Sequence, residues 1–213
     1  MFLNRGDRLA IVDFEDRKIN YTELVNNVKY FSENVIPAEK EDFGLILMEN
    51  RPEWIYTYFA LWDRKAIPIA LDSTSSSKEI LYVLGDSDPK FIICSNESEK
   101  NVREAVSMYE KGGITVINVD NHPIDENKLE VIRNSNFELE NPEGDSIATM
   151  LYTSGTTGSP KGVMLTFNNL SSELEGLEKK DLLEPTDQIL ALLPFHHVLP
   201  LTATVLIILQ HQA

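Results

Sequence analysis

Short apolar runs alternate with longer stretches of helical periodicity along most of this chain, and few architectures accept that rhythm. The runs are "FGLILM" (43–48), "AIPIAL" (66–71), "KFIIC" (90–94), "GGITVINV" (112–119), "SIATMLY" (146–152) and "QILALL" (188–193). Each is too short for a helix of ordinary length and suits a strand covered on both faces. Between them stand "YTELVNNVKYFSENV", where Leu24, Val25, Val28 and Phe31 share one helical face, "ENRPEWIYTYFALWDR", "SSKEILYVLGDSD" and "ESEKNVREAVSMYEK". "FNNLSSELEGLEKK" and "LPLTATVLIILQ" are further helices. Thr22 is placed to cap the first helix and Asn50 the second, whose Pro52 falls in the first turn, where a missing N–H costs nothing. The spacing therefore predicts an α/β fold: a mostly parallel β-sheet with helices on both faces. "LAIVDF" and "KIN" add two short strands at the start. The polar stretch 121–145 is expected to hold one short helix in an irregular connection, which makes it the candidate subdomain seam.

The chain can bury a core of its own: it has 213 residues, 42% of them hydrophobic and 25% charged. Its net charge of −15 repels nucleic acid and anionic membrane, so neither is an expected partner. Cys94 is the single cysteine and lies in an apolar run, which points to a buried thiol and a reducing, cytoplasmic setting. The first residues lack the apolar stretch of a signal peptide. No run reaches the roughly 20 apolar residues that a transmembrane segment needs.

One loop departs from the acidic character of the rest. In "LYTSGTTGSPKGVMLT" (151–166), Gly155, Gly158 and Gly162 let the backbone approach a ligand closely. The hydroxyls of Thr153, Ser154, Thr156, Thr157 and Ser159, with exposed N–H groups, can donate to phosphate oxygens, and Lys161 adds a cation. The expected order is strand, loop, helix. Two common phosphate loops are excluded by spelling. Pro160 and Gly162 flank Lys161 where G-x-x-x-x-G-K-[ST] needs Gly and Ser/Thr, and G-x-G-x-x-G is absent. The residues alone leave a Gly/Ser/Thr-rich surface turn as the competing reading.

"YTSGTTGSPKGV" resembles the signature loop of the adenylate-forming superfamily, which includes acyl- and aryl-CoA synthetases, peptide-synthetase adenylation domains and beetle luciferases. "NRPEWIYTYFALWDRKAIPIALD", "EILYVLGDSDPKFII", "DSIATMLYTSGTTG" and "LLPFHHVLP" are similar to other segments of that family in order and spacing. "PKGVMLTFNNL" sits nearest the fatty acyl-CoA synthetases, with Phe167 where a histidine is usual; Lys65 and Ala70 stand where glycine and proline are usual. The resemblance implies an N-terminal AMP-binding domain over residues 1–213. It also implies a reaction in two halves: a carboxylate, here a fatty acid, attacks the α-phosphorus of ATP and expels pyrophosphate, and the thiol of coenzyme A then takes the acyl group. Thr153, Ser154, Gly155, Thr156, Thr157, Gly158 and Lys161 become expected nucleotide contacts. His197 becomes the histidine beside the acyl pocket, and "VLPLTATVLIIL" a wall of it. Mg²⁺ would share the phosphate charge.

His196 and His197, taken without the resemblance, read as half-buried histidines whose adjacent side chains point apart, so no metal ligand is assigned. The catalytic lysine of the family belongs to a C-terminal domain not found in these residues, and catalytic residues are left unassigned. The expectation is therefore an N-terminal part of a ligase, inactive by itself and completed by that domain. Two alternatives stand beside it: an adenylation domain that loads a carrier-protein thiol, and a non-catalytic nucleotide-binding or scaffold domain.

Overall fold

The computed structural model describes residues 3–140, 142–153, 160–180, 183–184 and 186–211. A small antiparallel ribbon, β1 (Leu9–Val12) and β2 (Lys18–Asn20), precedes α1 (Tyr21–Asn34). Then follow β3 (Phe43–Leu47), α2 (Pro52–Asp63), β4 (Ile67–Leu71), α3 (Ser77–Ser87), β5 (Phe91–Cys94), α4 (Glu99–Met108) and β6 (Thr115–Asn118). After α5 (Glu126–Arg133) come β7 (Ile147–Thr153), β8 (Lys161–Thr166) and α6 (Phe167–Glu178). The last helical run is α7 (Val198–Pro200), a wide π-helical stretch (Leu201–Leu206) and α8 (Ile207–His211). Among the described residues no helix is long and apolar enough to cross a membrane.

The large sheet has the order β6-β5-β3-β4-β7-β8, parallel except for β8, which runs antiparallel to β7 at the edge. Its inner strands β3, β4 and β5 are buried on both faces because their side chains alternate between two cores. Leu45, Leu47, Ile69, Ile92 and Cys94 pack with Ile80, Leu84 and Val102 of α3 and α4. Ile46, Ala70, Phe91 and Ile93 pack on the other side with α1, α2, α6 and the last helical run. The expected mostly parallel sheet with helices on both faces is therefore what the chain forms.

Helix α2 lies between the sheet and α1, and apart from Glu53 all its residues are buried. Trp54, Tyr58 and Trp62 run along it as a ladder of rings about one turn apart, continued by Phe195 against Trp54 and Phe167 against Trp62. Phe167, in the position where the resemblance leads one to expect histidine, is thus a core residue, 3% exposed. The helix closes through Lys65, which takes a left-handed φ of 58°, while the Ala66 N–H reaches the Leu61 carbonyl. The glycine-like conformation survives at this position although a side chain occupies it. In the stretch 121–145, α5 packs Leu129 and Ile132 into the core that contains α1.

Four local expectations need correction. The cap of α1 is Asn20, not Thr22: its side chain accepts the Glu23 N–H while Glu23 reaches back to the Asn20 N–H. Arg51, not Asn50, precedes α2, because Asn50 is engaged elsewhere. Residues 161–166 form a strand, so the loop joins two strands of a hairpin rather than a strand and a helix. Residues 188–193 form no strand among the described residues, and Ile189, Leu190, Leu192 and Leu193 are exposed.

Candidate functional site

In a sheet of this kind, ligands bind beyond the carboxyl ends of the strands, where neighbouring strands send their chains to opposite faces. Strands β3 and β4 are such a pair, since α2 packs on one face and α3 on the other. Three segments reach this edge: Glu49–Arg51 after β3, Asp72–Thr74 after β4 and the end of β7 at Thr153. A fourth, 191–197, is carried there by contacts that no spacing predicts.

In the β7–β8 hairpin, Tyr152 pairs with Gly162 and Thr153 with Lys161. Both stems are tied to α3: the Tyr152 hydroxyl donates to the Asp86 carboxylate at 2.7 Å and the Tyr82 hydroxyl to the Pro160 carbonyl at 2.9 Å. Burial, and then the Asp86 carboxylate, push the Tyr152 hydroxyl well above the usual phenol range, so it remains a donor. Thr153 and Lys161 are exposed, and Lys161 has no ion pair among the described residues. Ser154, Gly155, Thr156, Thr157 and Gly158 lie outside the described residues.

Another cation at this edge is committed. The Arg51 guanidinium bonds Glu49 at 3.1 Å, Glu53 at 2.7 Å and Asp120 at 2.8 Å. Burial alone would lower its pKa, but these carboxylates outweigh that and raise it. It holds the loops after β3 and β6 together and has little capacity left for a phosphate.

Asn50 makes three hydrogen bonds to the backbone of the segment with the histidines. Its Nδ2 donates to the Ala191 carbonyl at 3.2 Å and the Leu193 carbonyl at 2.9 Å, and its Oδ1 accepts the Phe195 N–H at 3.0 Å. His196 is thereby set 3.9 Å from Asp72, while His197 is exposed. The two imidazoles do not point apart as expected: their centroids are 4.1 Å apart and tilted by 52°. Burial, and then the neighbouring His197, lower the pKa of His196 against the opposing pull of Asp72. Burial would raise the Asp72 pKa, but the N–H and hydroxyl of Thr74, with both histidines beyond, hold the carboxyl below its usual range. Among the described residues no group of three or more His, Cys, Asp and Glu side chains could hold a metal ion.

The family model for "AMP-binding enzyme" matches residues 3–213. The chain belongs to that family. Over 143 residues the chain is 34% identical to the fatty acyl-CoA synthetase A of Dictyostelium discoideum, a match of 60% of this chain and 21% of that protein. It is 30% identical to the 2-succinylbenzoate–CoA ligase of Bacillus subtilis (strain 168), over 92% of this chain and 38% of the relative. Among solved structures, ATP-bound MatB from Rhodopseudomonas palustris superposes with a TM-score of 0.81 at 25% identity, covering 99% of this chain and 42% of that one. The chain thus spans less than half the length of these relatives, and its architecture is that of the N-terminal large domain of adenylate-forming enzymes.

Sequence reasoning singled out Thr153, Lys161 and the histidine pair, gave Asn50 only as a helix cap, and did not name Asp72, Tyr82 or Asp86. The only local signal was that Tyr82 and Asp86 are four apart on one helix and so share a face. Their partners are remote in sequence, as are those of Asn50.

Proposed function

We propose that this chain supplies the nucleotide-holding hairpin and part of the acid-binding wall of an ATP-dependent acid–CoA ligase that forms AMP. The fatty acyl-CoA and 2-succinylbenzoate relatives support a carboxylic acid substrate. The narrower reading, a fatty acid, rests on "PKGVMLTFNNL". The observation that carries the proposal is the hairpin itself. Thr153 and Lys161, which has no ion pair among the described residues, are partners at the ends of β7 and β8, with Tyr152 and Pro160 bonded to α3, on a protein of net charge −15.

The reaction is a displacement between anions, so positioning and charge management dominate the barrier. The acid's oxygen forms a bond to the α-phosphorus of ATP while the bond to the pyrophosphate leaving group breaks. The thiol of coenzyme A then displaces AMP from the acyl carbon. In this scheme Thr153, Ser154, Gly155, Thr156, Thr157 and Gly158 donate to the phosphate oxygens, and Lys161 offsets charge building on the departing pyrophosphate. Fixed donors of this kind contribute about 2.7–4 kcal/mol each where one has been removed from comparable sites. His197 borders the acid. Mg²⁺, where present, would be held largely by the phosphate oxygens of ATP, and no step is routed through it.

The test uses an enzyme of the relatives' length that carries these residues. Wild type should catalyse acid-dependent exchange of pyrophosphate into ATP. Lys161→Ala should lower kcat with a smaller effect on the KM for the acid. The 213 residues alone should show no exchange. A wild-type enzyme that binds ATP but supports no exchange with any carboxylic acid would refute the ligase reading.

A further inference from the structure

The segment 188–197 presents a problem of support. It has no strand partner among the described residues, and Ile189, Leu190, Leu192 and Leu193 are exposed, so apolar burial does little to fix it. Besides Ala191 packed against the core and His196 beside Asp72, two further attachments are present among the described residues. One is the buried Phe195 ring, edge-on to Trp54 with centroids 5.3 Å apart. The other is Asn50, which uses both protons of its amide and its carbonyl oxygen on Ala191, Leu193 and Phe195. The bonds are directional and span roughly 140 residues of sequence, so they fix both the position and the tilt of the segment. A carboxylate could not replace this amide, because it has no proton for the two carbonyls. A single hydroxyl could not serve all three groups.

We infer that Asn50 is a positioning residue, which sets where His196 and His197 stand over the carboxyl edge of the sheet and thereby how the acid substrate is held. Asn50 touches neither substrate nor reacting atoms. It acts through a backbone whose next ordered contacts are the His197 N–H on the Pro194 carbonyl and His196 beside Asp72. In its kinetic part this inference rests on the ligase reading; in its structural part it does not.

The experiment has two arms on Asn50→Ala and Asn50→Asp. In the first, amide exchange and ring titration are followed by NMR on the 213-residue chain. Asn50→Ala should speed exchange of the Phe195 amide by about fivefold or more, the effect of losing one net hydrogen bond. It should also raise the His196 midpoint toward the ordinary 6.5, as burial is lost while Asp72 and His197 remain its charged neighbours. Asn50→Asp keeps an acceptor for Phe195 and should protect that amide, yet still shift His196, because the two carbonyls lose their donor. In the second arm, in the enzyme of the relatives' length, both variants should raise the KM for the acid by about fivefold or more at unchanged KM for ATP. A merely structural loss would scale kcat alone. The inference is overturned if the Phe195 amide and the His196 midpoint match wild type, or if protection falls equally through α2 and the sheet. If wild type makes no acyl-adenylate, the ligase reading fails while the NMR arm still decides the role of Asn50.

Discussion

His196 Nε2 stands 3.9 Å from Asp72 Oδ2, which joins the charge-free stretch that carries the histidines to the end of β4. Burial lowers the pKa of this imidazole, so the folded state binds its proton less readily than the unfolded chain does. Folding stability should therefore fall as pH drops below about 6.5 and through the lowered value. Asp72→Asn removes the one attraction that favours the charged ring and should lower the His196 midpoint further. His197→Ala removes a repulsion and should raise it. Imidazole titration by NMR reads both signs directly, and a shift in the opposite direction for either variant would contradict the assignment.

A second prediction concerns the bulge in β7. Between Ile147 and Thr149 the ladder to β8 slips by one, leaving Ala148 as the extra residue. Its carbonyl accepts the indole N–H of Trp62 at 2.7 Å from beneath the sheet. Trp62→Phe keeps most of the apolar volume but leaves that buried carbonyl without this donor. It should cost about 1–3 kcal/mol, measured as a lower urea midpoint at unchanged slope.

Two substitutions, one at the end of α2 and one inside β3, should have opposite signs. Lys65 holds a left-handed φ of 58° that costs a non-glycine residue about 1–2 kcal/mol. Its pair with Glu140 is half exposed and offsets little of this. Allowing for the greater unfolded-state freedom of glycine, Lys65→Gly should stabilise the fold by about 1 kcal/mol. Gly44→Ala should do the reverse, because the added Cβ would lie 2.5 Å from the buried Phe91 ring and 3.0 Å from Leu61. Overpacking of that kind costs about 1–3 kcal/mol. Chemical denaturation of both variants checks the pair.

Cys94 offers a probe of opening. The thiol is fully buried, and burial, with Glu99 next, pushes its pKa up to about 12. At pH 8 the native protein should resist alkylation, and labelling should appear only across the unfolding transition. Fast labelling under native conditions would show that β5 separates from its neighbours far below the global unfolding free energy.

The sequence carried the parallel core well because β3, β4 and β5 are covered on both faces and so read as unbroken apolar runs. Pro52 marked the first turn of α2 for a reason just as local. Strand β8 escaped because it is an edge strand: Val163 and Met164 are exposed, and Lys161 and Gly162 continue the composition of the loop. Residues 188–193 misled in the other direction, since an apolar run predicts burial but does not supply a partner. Asn50 looked like a cap because Asn before Pro52 fits that role locally, whereas its real partners lie beyond residue 190. Thr153 and Lys161 are opposite each other at the ends of β7 and β8, and of the expected nucleotide contacts Ser154, Gly155, Thr156, Thr157 and Gly158 lie outside the described residues.

The order of strands in the large sheet has a consequence for how the protein is made. β3, β5 and β6 find their neighbours soon after translation, but β4 gains its second partner only when β7 emerges, roughly 75 residues later. At about 5–20 residues per second, one flank of β4 stays open on the ribosome for about 4–15 s. Ile69 and Ala70, sealed in the finished molecule, are then the nascent chain's point of greatest vulnerability to mispairing.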